Sequence, residues 1–266
     1  MSKITEAFQN KKAFIPFITC GDPDLETTKK LVLAMAQAGA DIIELGIPFS
    51  DPTAEGPVIQ EANERALSGG VTTDKILEMV KELRSEIETP LVFMTYANVV
   101  FSYGSHEKRD IEGGTEQFLK KAAEAGINGL ILPEVPFEEK GDFAPLCRKY
   151  GIDYISLIAP TSHDRIKMIA GEAEGFVYCV SSLGVTGVRS KITTDIGAMT
   201  ELVHSVTKVP AAVGFGISTP EQAKEIAKSA EGIIVGSAIV KLIAKYGRES
   251  VPYVADYVRS MKEAIS

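Results

Sequence analysis

The stretch AAVGFGISTPEQAKEIAKSAEGIIVGSAIV, residues 211–240, carries one pattern twice. A short apolar run, AAVGFG from Ala211 and then GIIVG from Gly232, passes through a glycine turn towards a helix, and TPEQAKEIAKSA has apolar positions at helical spacing. The apolar runs lack polar alternation, as expected of parallel strands covered on both faces. Working outward, the same unit recurs at AFIPFIT from Ala13, DIIELG from Asp41, LVFMTY from Leu91, GLILP from Gly129, DYISLI from Asp153 and FVYCVS from Phe176, which makes eight predicted strands. Amphipathic segments such as DLETTKKLVLAMAQAG and TEQFLKKAAEAG lie between them and end at glycine. A doubly wound open sheet has the same alternation, but eight units with no domain-linking segment favour closure into a barrel. The expectation is an α/β fold: a single (β/α)8 TIM barrel with a short extra N-terminal helix, one domain over residues 1–266. SYGSHEKRDIEGG, residues 102–114, reads as a charged surface loop before the next helix.

Composition narrows the function. The 266 residues are 45% hydrophobic and 24% charged, enough for a packed core and a charged surface. Lys plus Arg number 28 against 36 Asp plus Glu, a net charge of -8, which disfavours nucleic-acid or anionic-membrane binding, so any anion must be held by local chemistry. Cys20, Cys147 and Cys179 are scattered and odd in number, which argues against a disulfide framework and for a reducing compartment. No apolar run approaches the roughly 18 residues of a membrane span, and MSKITEAFQNKK lacks a signal-peptide core. The expected location is the cytoplasm. His106, His163 and His204 form no ligand spacing and read as surface residues, so no metal site is expected.

Reacting groups in such barrels sit where strands end and loops begin. Gly214, Gly216, Ser218 and Thr219 follow the seventh strand, and Gly236 follows the eighth. Glycines admit an anion close to the backbone, and helix N-termini offer unpaired N–H groups with partial positive charge. Two such ends in this order suit a phosphate cup; the alternative is that the glycines serve tight turns and Ser218 or Thr219 caps a helix. SSLGVTGVRSKIT, after the sixth strand, reads as a lid or as an ordinary loop. At the end of the second strand Glu44 sits among apolar neighbours in DIIELG. Such burial raises a carboxyl pKa and favours acid/base work near neutrality; a buried Glu paired with a Lys or backbone donors fits the same pattern. The loop that follows, GIPFSDPTAEGPVIQEAN, places Asp51, read as a turn residue before Pro52, and Glu55 near the barrel mouth.

ELGIPFSDP with GPVIQ, then MTYANVVFSYG, SSLGVTG, GFGIS and GSAIV resemble, in order and spacing, the successive signature segments of the tryptophan synthase alpha subunit family. The likeness runs from FIPFITCGDPD to the last helix. It implies a lyase of L-tryptophan biosynthesis, cleaving indole-3-glycerol phosphate to indole and glyceraldehyde 3-phosphate, with no cofactor in this subunit. It also implies a beta-subunit partner that holds pyridoxal phosphate, in an alpha2-beta2 heterotetramer. By the same resemblance Glu44 is the general acid/base and Glu55 the second carboxylate, bonded to the indole N–H. Phe17, Ile59, Tyr96 and Tyr178 surround the indole ring, Thr186 and Gly187 fall on a closing loop, and Gly216, Ile217, Gly236 and Ser237 form the phosphate cup. The chain departs from the family at Glu55 and Glu134, where the family has Asp, and at Thr53, usually apolar. Two other readings share these features: a catalytically weak regulatory subunit that binds a phosphorylated ligand and activates beta, and another phosphosugar-processing barrel.

Overall fold

The computed structural model describes residues 1–104, 111–180, 195–214 and 216–266, with the backbone alone at 111 and 112. The strands are β1 (Ala13–Thr19), β2 (Ile43–Gly46), β3 (Leu91–Met94), β4 (Gly129–Ile131), β5 (Asp153–Tyr154), β6 (Ser156–Ile158), β7 (Val177–Val180), β8 (Ala211–Gly214) and β9 (Gly232–Val235). All pairings are parallel, in the order β5-β4-β3-β2-β1-β9-β8-β7-β6. The two ends of that order are neighbours in the chain. DYISLI is one extended run that pairs first with β4, Ile155 donating its N–H to the Leu130 carbonyl at 2.9 Å, and then with β7. The eight predicted strands are thus present, the fifth changing partner midway, and the sheet closes as a (β/α)8 barrel.

Alternation along each strand divides the core in two. Ile15, Phe17, Ile42, Val92, Met94, Ile131, Ile155, Phe176, Tyr178, Ala212 and Ile234 point into the barrel, where Ile4 and Phe8 from the N-terminal end join them. Their neighbours Phe14, Ile18, Leu45, Phe93, Leu130, Cys179 and Val213 meet the helices outside. The short N-terminal helix, Lys3–Glu6, starts at Ser2, whose hydroxyl accepts the Thr5 N–H, and its Ile4 is fully buried. No helix among the described residues is long and apolar enough to cross a membrane.

The expected loop over residues 102–114 is corrected at its end. The next helix spans Ile111–Ala125, so Gly113 and Gly114 lie inside it, and residues 105–110 fall outside the described ones. A Cβ on Gly114 would come within 2.0 Å of the Phe101 carbonyl oxygen, so this glycine answers to a close approach between chain segments rather than to a turn.

Candidate active site

The C-terminal ends of the strands surround a pocket, open to solvent, lined by Phe17, Glu44, Glu55, Ile59, Met94, Tyr178, Gly216, Ile217, Ile234, Gly236 and Ser237. Nine of the twelve expected site residues are among these. Tyr96 is buried and is joined to the site by its hydrogen bond to Glu55. Thr186 and Gly187 lie outside the described residues, as does His106. Met94 and Ile234 were not anticipated; strand alternation holds the signal for them, since Met94 lies two residues beyond inward-facing Val92 and Ile234 two before Gly236.

Glu44 is the register partner of Phe17 across β1 and β2 and points into the barrel. It is 1% exposed, and neither carboxyl oxygen has a hydrogen-bond partner among the described residues. Burial pushes its pKa up to about 8. Among the described residues no Lys or backbone donor pairs with it to offset the desolvation, and the carboxyl keeps its proton to near-neutral pH, poised to give or accept it. Tyr178, its neighbour in the barrel, is held far above the usual phenol range by burial and by the Glu44 charge.

Glu55 is also buried, at 6% exposure, but in a different setting. It precedes the helix Pro57–Ser68, whose Asn63 donates its amide to the Glu55 carboxylate at 3.3 Å, while Gln60 bonds the Glu55 carbonyl at 2.8 Å. The Tyr96 hydroxyl bonds the same carboxylate and accepts the Ala54 N–H at 3.0 Å. Burial raises the Glu55 pKa to about 7, with Tyr96 and Asn63 pulling the other way and the charge of Glu134 adding to the rise. The helix carrying Asn63 and Ile59 is tied to the loop after β1 by Arg65, whose Nε and Nη2 each meet one oxygen of buried Asp22 at 2.8 Å. Glu134 accepts the Ala97 N–H at 2.5 Å, at the start of the helix Ala97–Phe101 that follows Tyr96. Asp51 is exposed and accepts a hydrogen bond from the Ser50 hydroxyl. His163 and His204 are both exposed.

Among the described residues, those at the opposite end of the cavity carry no side-chain charge. Gly236 precedes the helix Ser237–Tyr246 and gives it no side-chain cap, so the first N–H groups of that helix are left for another acceptor. Gly216, at φ +85°, and Ile217 complete this end. The expectation of two equivalent helix ends needs correcting. The helix Pro220–Ile226 is closed by its own capping box, Thr219 accepting the Gln222 N–H and Gln222 accepting the Thr219 N–H. Its N-terminus is spent on Thr219 and Gln222, and the preceding turn offers backbone at Gly216 and Ile217 instead.

Gly214 shapes the wall between the two ends. A Cβ there would lie 2.7 Å from both Cε1 and the hydroxyl of Tyr178. The ring must move, and open space beside it is the cavity. Gly214→Ala is therefore expected to weaken ligand binding about ten-fold while the melting temperature falls by less than roughly 4 °C; equal binding by titration would show that Tyr178 does not border the ligand.

The family described as Tryptophan synthase alpha chain matches residues 4–266. The chain is 46% identical over 265 residues to the tryptophan synthase alpha chain of Lacticaseibacillus casei, covering 100% of this chain and 96% of that one. It is 47% identical to that of Thermoanaerobacter sp. (strain X514), with 100% of both chains covered. Among solved structures it resembles tryptophan synthase subunit alpha from Legionella pneumophila str. Paris, with a TM-score of 0.87, 36% identity and coverage of 100% and 98%. It also resembles a chain of the tryptophan synthase complex from Pyrococcus furiosus, with a TM-score of 0.83, 35% identity and coverage of 94% and 98%.

Proposed function

This chain belongs to the tryptophan synthase alpha chain family, and from that premise we propose how its barrel mouth divides the chemistry among its residues. The reaction is cleavage of indole-3-glycerol phosphate to indole and glyceraldehyde 3-phosphate, a lyase step in the biosynthesis of an aromatic amino acid, L-tryptophan. The carbon–carbon bond at indole C3 breaks, C3 gains a proton, and the glycerol hydroxyl next to it loses one as it becomes the aldehyde. Glu44 serves both transfers, delivering a proton to C3 and recovering one from the hydroxyl, so that it ends as it began. The observation that carries this reading is a buried carboxyl without a hydrogen-bond partner among the described residues, inside a cavity whose far end is a helix N-terminus.

Glu55 accepts the indole N–H as positive charge develops on the ring, and Tyr96 and Asn63 hold it in place. Phe17, Ile59 and Tyr178 supply an apolar slot for the ring, with Met94 and Ile234 completing it. The phosphate sits against Gly216, Ile217, Gly236 and Ser237, bound by backbone N–H groups. Residues 1–266 act as one barrel domain in the cytoplasm. The partner is the beta subunit, as in the Pyrococcus furiosus a2b2 complex, and pyridoxal phosphate belongs to that partner rather than to this chain. Purified protein is expected to release indole steadily from indole-3-glycerol phosphate without added metal, and faster with a cognate beta subunit. Binding without release in both conditions would overturn the lyase assignment for these residues.

A further inference from the structure

The turn that carries Gly216 and Ile217 is held from outside the barrel. Its next residue, Ser218, has both polar backbone groups engaged: its N–H donates to the Gln222 Oε1 at 2.8 Å, and its carbonyl accepts the Tyr257 hydroxyl at 2.9 Å. The first bond is local to the capping box. The second crosses 39 residues of sequence to the C-terminal helix Ser250–Ile265. Tyr257 is partly buried and packs into the shell between barrel and helices. That helix is anchored in turn: further along it, Lys262 donates to the Lys12 carbonyl and to the Asp41 carboxylate, both at 2.7 Å. Asp41 also accepts the Phe14 N–H at the start of β1 and pairs with Lys11. A hydroxyl on a platform tied to the barrel wall therefore fixes one peptide of the turn.

Peptide units are planar, so the Tyr257 bond fixes the Ser218–Thr219 peptide and the Gln222 bond the Ile217–Ser218 peptide; Ser218 is held on both sides, and the freedom of the chain leading back to Gly216 is reduced. The adjoining Gly216 sits in a region of backbone space where glycine has ample freedom. Left unheld, such a turn would present its N–H groups over a range of directions, and an anion bound by backbone donors depends on their alignment. We propose that Tyr257, through the Ser218 carbonyl, is a positioning residue for the phosphate-binding turn. The proposal rests on the reading of Gly216, Ile217, Gly236 and Ser237 as the phosphate end.

The test compares wild type, Tyr257→Phe and, as a control at an exposed position on the same helix, Tyr253→Phe. Each is titrated with glycerol 3-phosphate and with 3-(indol-3-yl)propanol, which lacks the phosphate, and assayed for cleavage of indole-3-glycerol phosphate. Loss of one hydrogen bond corresponds to about a three- to ten-fold effect. That rise is expected in the KM and in the glycerol 3-phosphate Kd of Tyr257→Phe, with kcat within about two-fold and indolylpropanol binding unchanged. Tyr253→Phe should match wild type throughout. An unchanged glycerol 3-phosphate Kd in Tyr257→Phe would overturn the proposal, as would equal weakening for both ligands, which marks a general structural role. Failure of wild type to bind glycerol 3-phosphate would instead overturn the phosphate reading and this proposal with it.

Discussion

Glu44→Gln is expected to lose at least about a thousand-fold in kcat, the scale of a general acid/base that serves two proton transfers, while keeping its affinity for a non-cleavable indole alkyl phosphate. The amide has nearly the same shape as the carboxyl, and none of its hydrogen bonds to the described residues is lost, because Glu44 makes none. The same substitution should stabilise the fold in a pH-dependent way. A carboxyl with a pKa of about 8 in the folded protein and an ordinary value near 4.5 when unfolded binds its proton more tightly in the native state. Its contribution is therefore full below pH 4.5, and declines as pH rises towards 8, because the unfolded chain releases the proton that the folded chain retains. At neutral pH the difference is on the order of 3 kcal/mol, or roughly 5 °C or more in melting temperature. Glu44→Gln escapes that loss, so its melting curve should coincide with wild type at acid pH and lie above it at pH 8. A variant less stable than wild type at pH 8 would mean that Glu44 has a stabilising partner; cleavage at the wild-type rate would remove Glu44 from the chemistry.

The second large effect is expected at Glu55. Glu55→Gln removes the charge that would face the indole N–H but leaves an oxygen for Asn63 and Tyr96, and should lower kcat about a hundred-fold, the cost of one preorganised electrostatic contact in a dry site. Glu55→Asp keeps the charge but withdraws it by roughly 1.5 Å, one carbon–carbon bond. Asn63 already reaches Glu55 across 3.3 Å, so the shorter side chain loses that contact unless the loop follows it inward. The rate should change at least several-fold, because misplacement of about 1 Å costs up to a hundred-fold. Steady-state kinetics of both variants decide the matter: an aspartate variant indistinguishable from wild type would show that Glu55 does not touch the reacting ring. Glu134 belongs to the same region. Its charge raises the Glu55 pKa, and its carboxylate holds the chain just after Tyr96, so both glutamates act on the tyrosine that bonds Glu55.

Much of this is legible in the sequence. The strands announce themselves as apolar runs without alternation because both of their faces are covered, and glycines at strand ends mark places where backbone must come close to something else. The closing glycine of DLETTKKLVLAMAQAG lies at φ +101° as its position implies, and Asp24 caps that helix by accepting the Thr27 N–H at 2.7 Å. Gly114 misled the reading of residues 102–114, since a glycine demanded by the Phe101 carbonyl looks in sequence like a glycine demanded by a turn. Thr219 and Gln222 have the spacing of a capping box, but only the structure shows that both bonds form and close one of the two expected helix ends.

Sequence by itself determined the order of strands and helices and the burial of Glu44 within an apolar strand, because periodicity and local residue preference act over a few neighbours; the family showed in the likeness of successive segments. Tertiary structure alone decided that DYISLI changes partners to close the barrel, that Glu44 has no hydrogen-bond partner among the described residues while Glu55 is held by Asn63 and Tyr96, and that Tyr257 reaches Ser218. Those facts depend on distances between residues far apart in the chain, and a carboxyl's protonation is set by which groups the fold brings within a few ångströms of it, not by its neighbours in sequence.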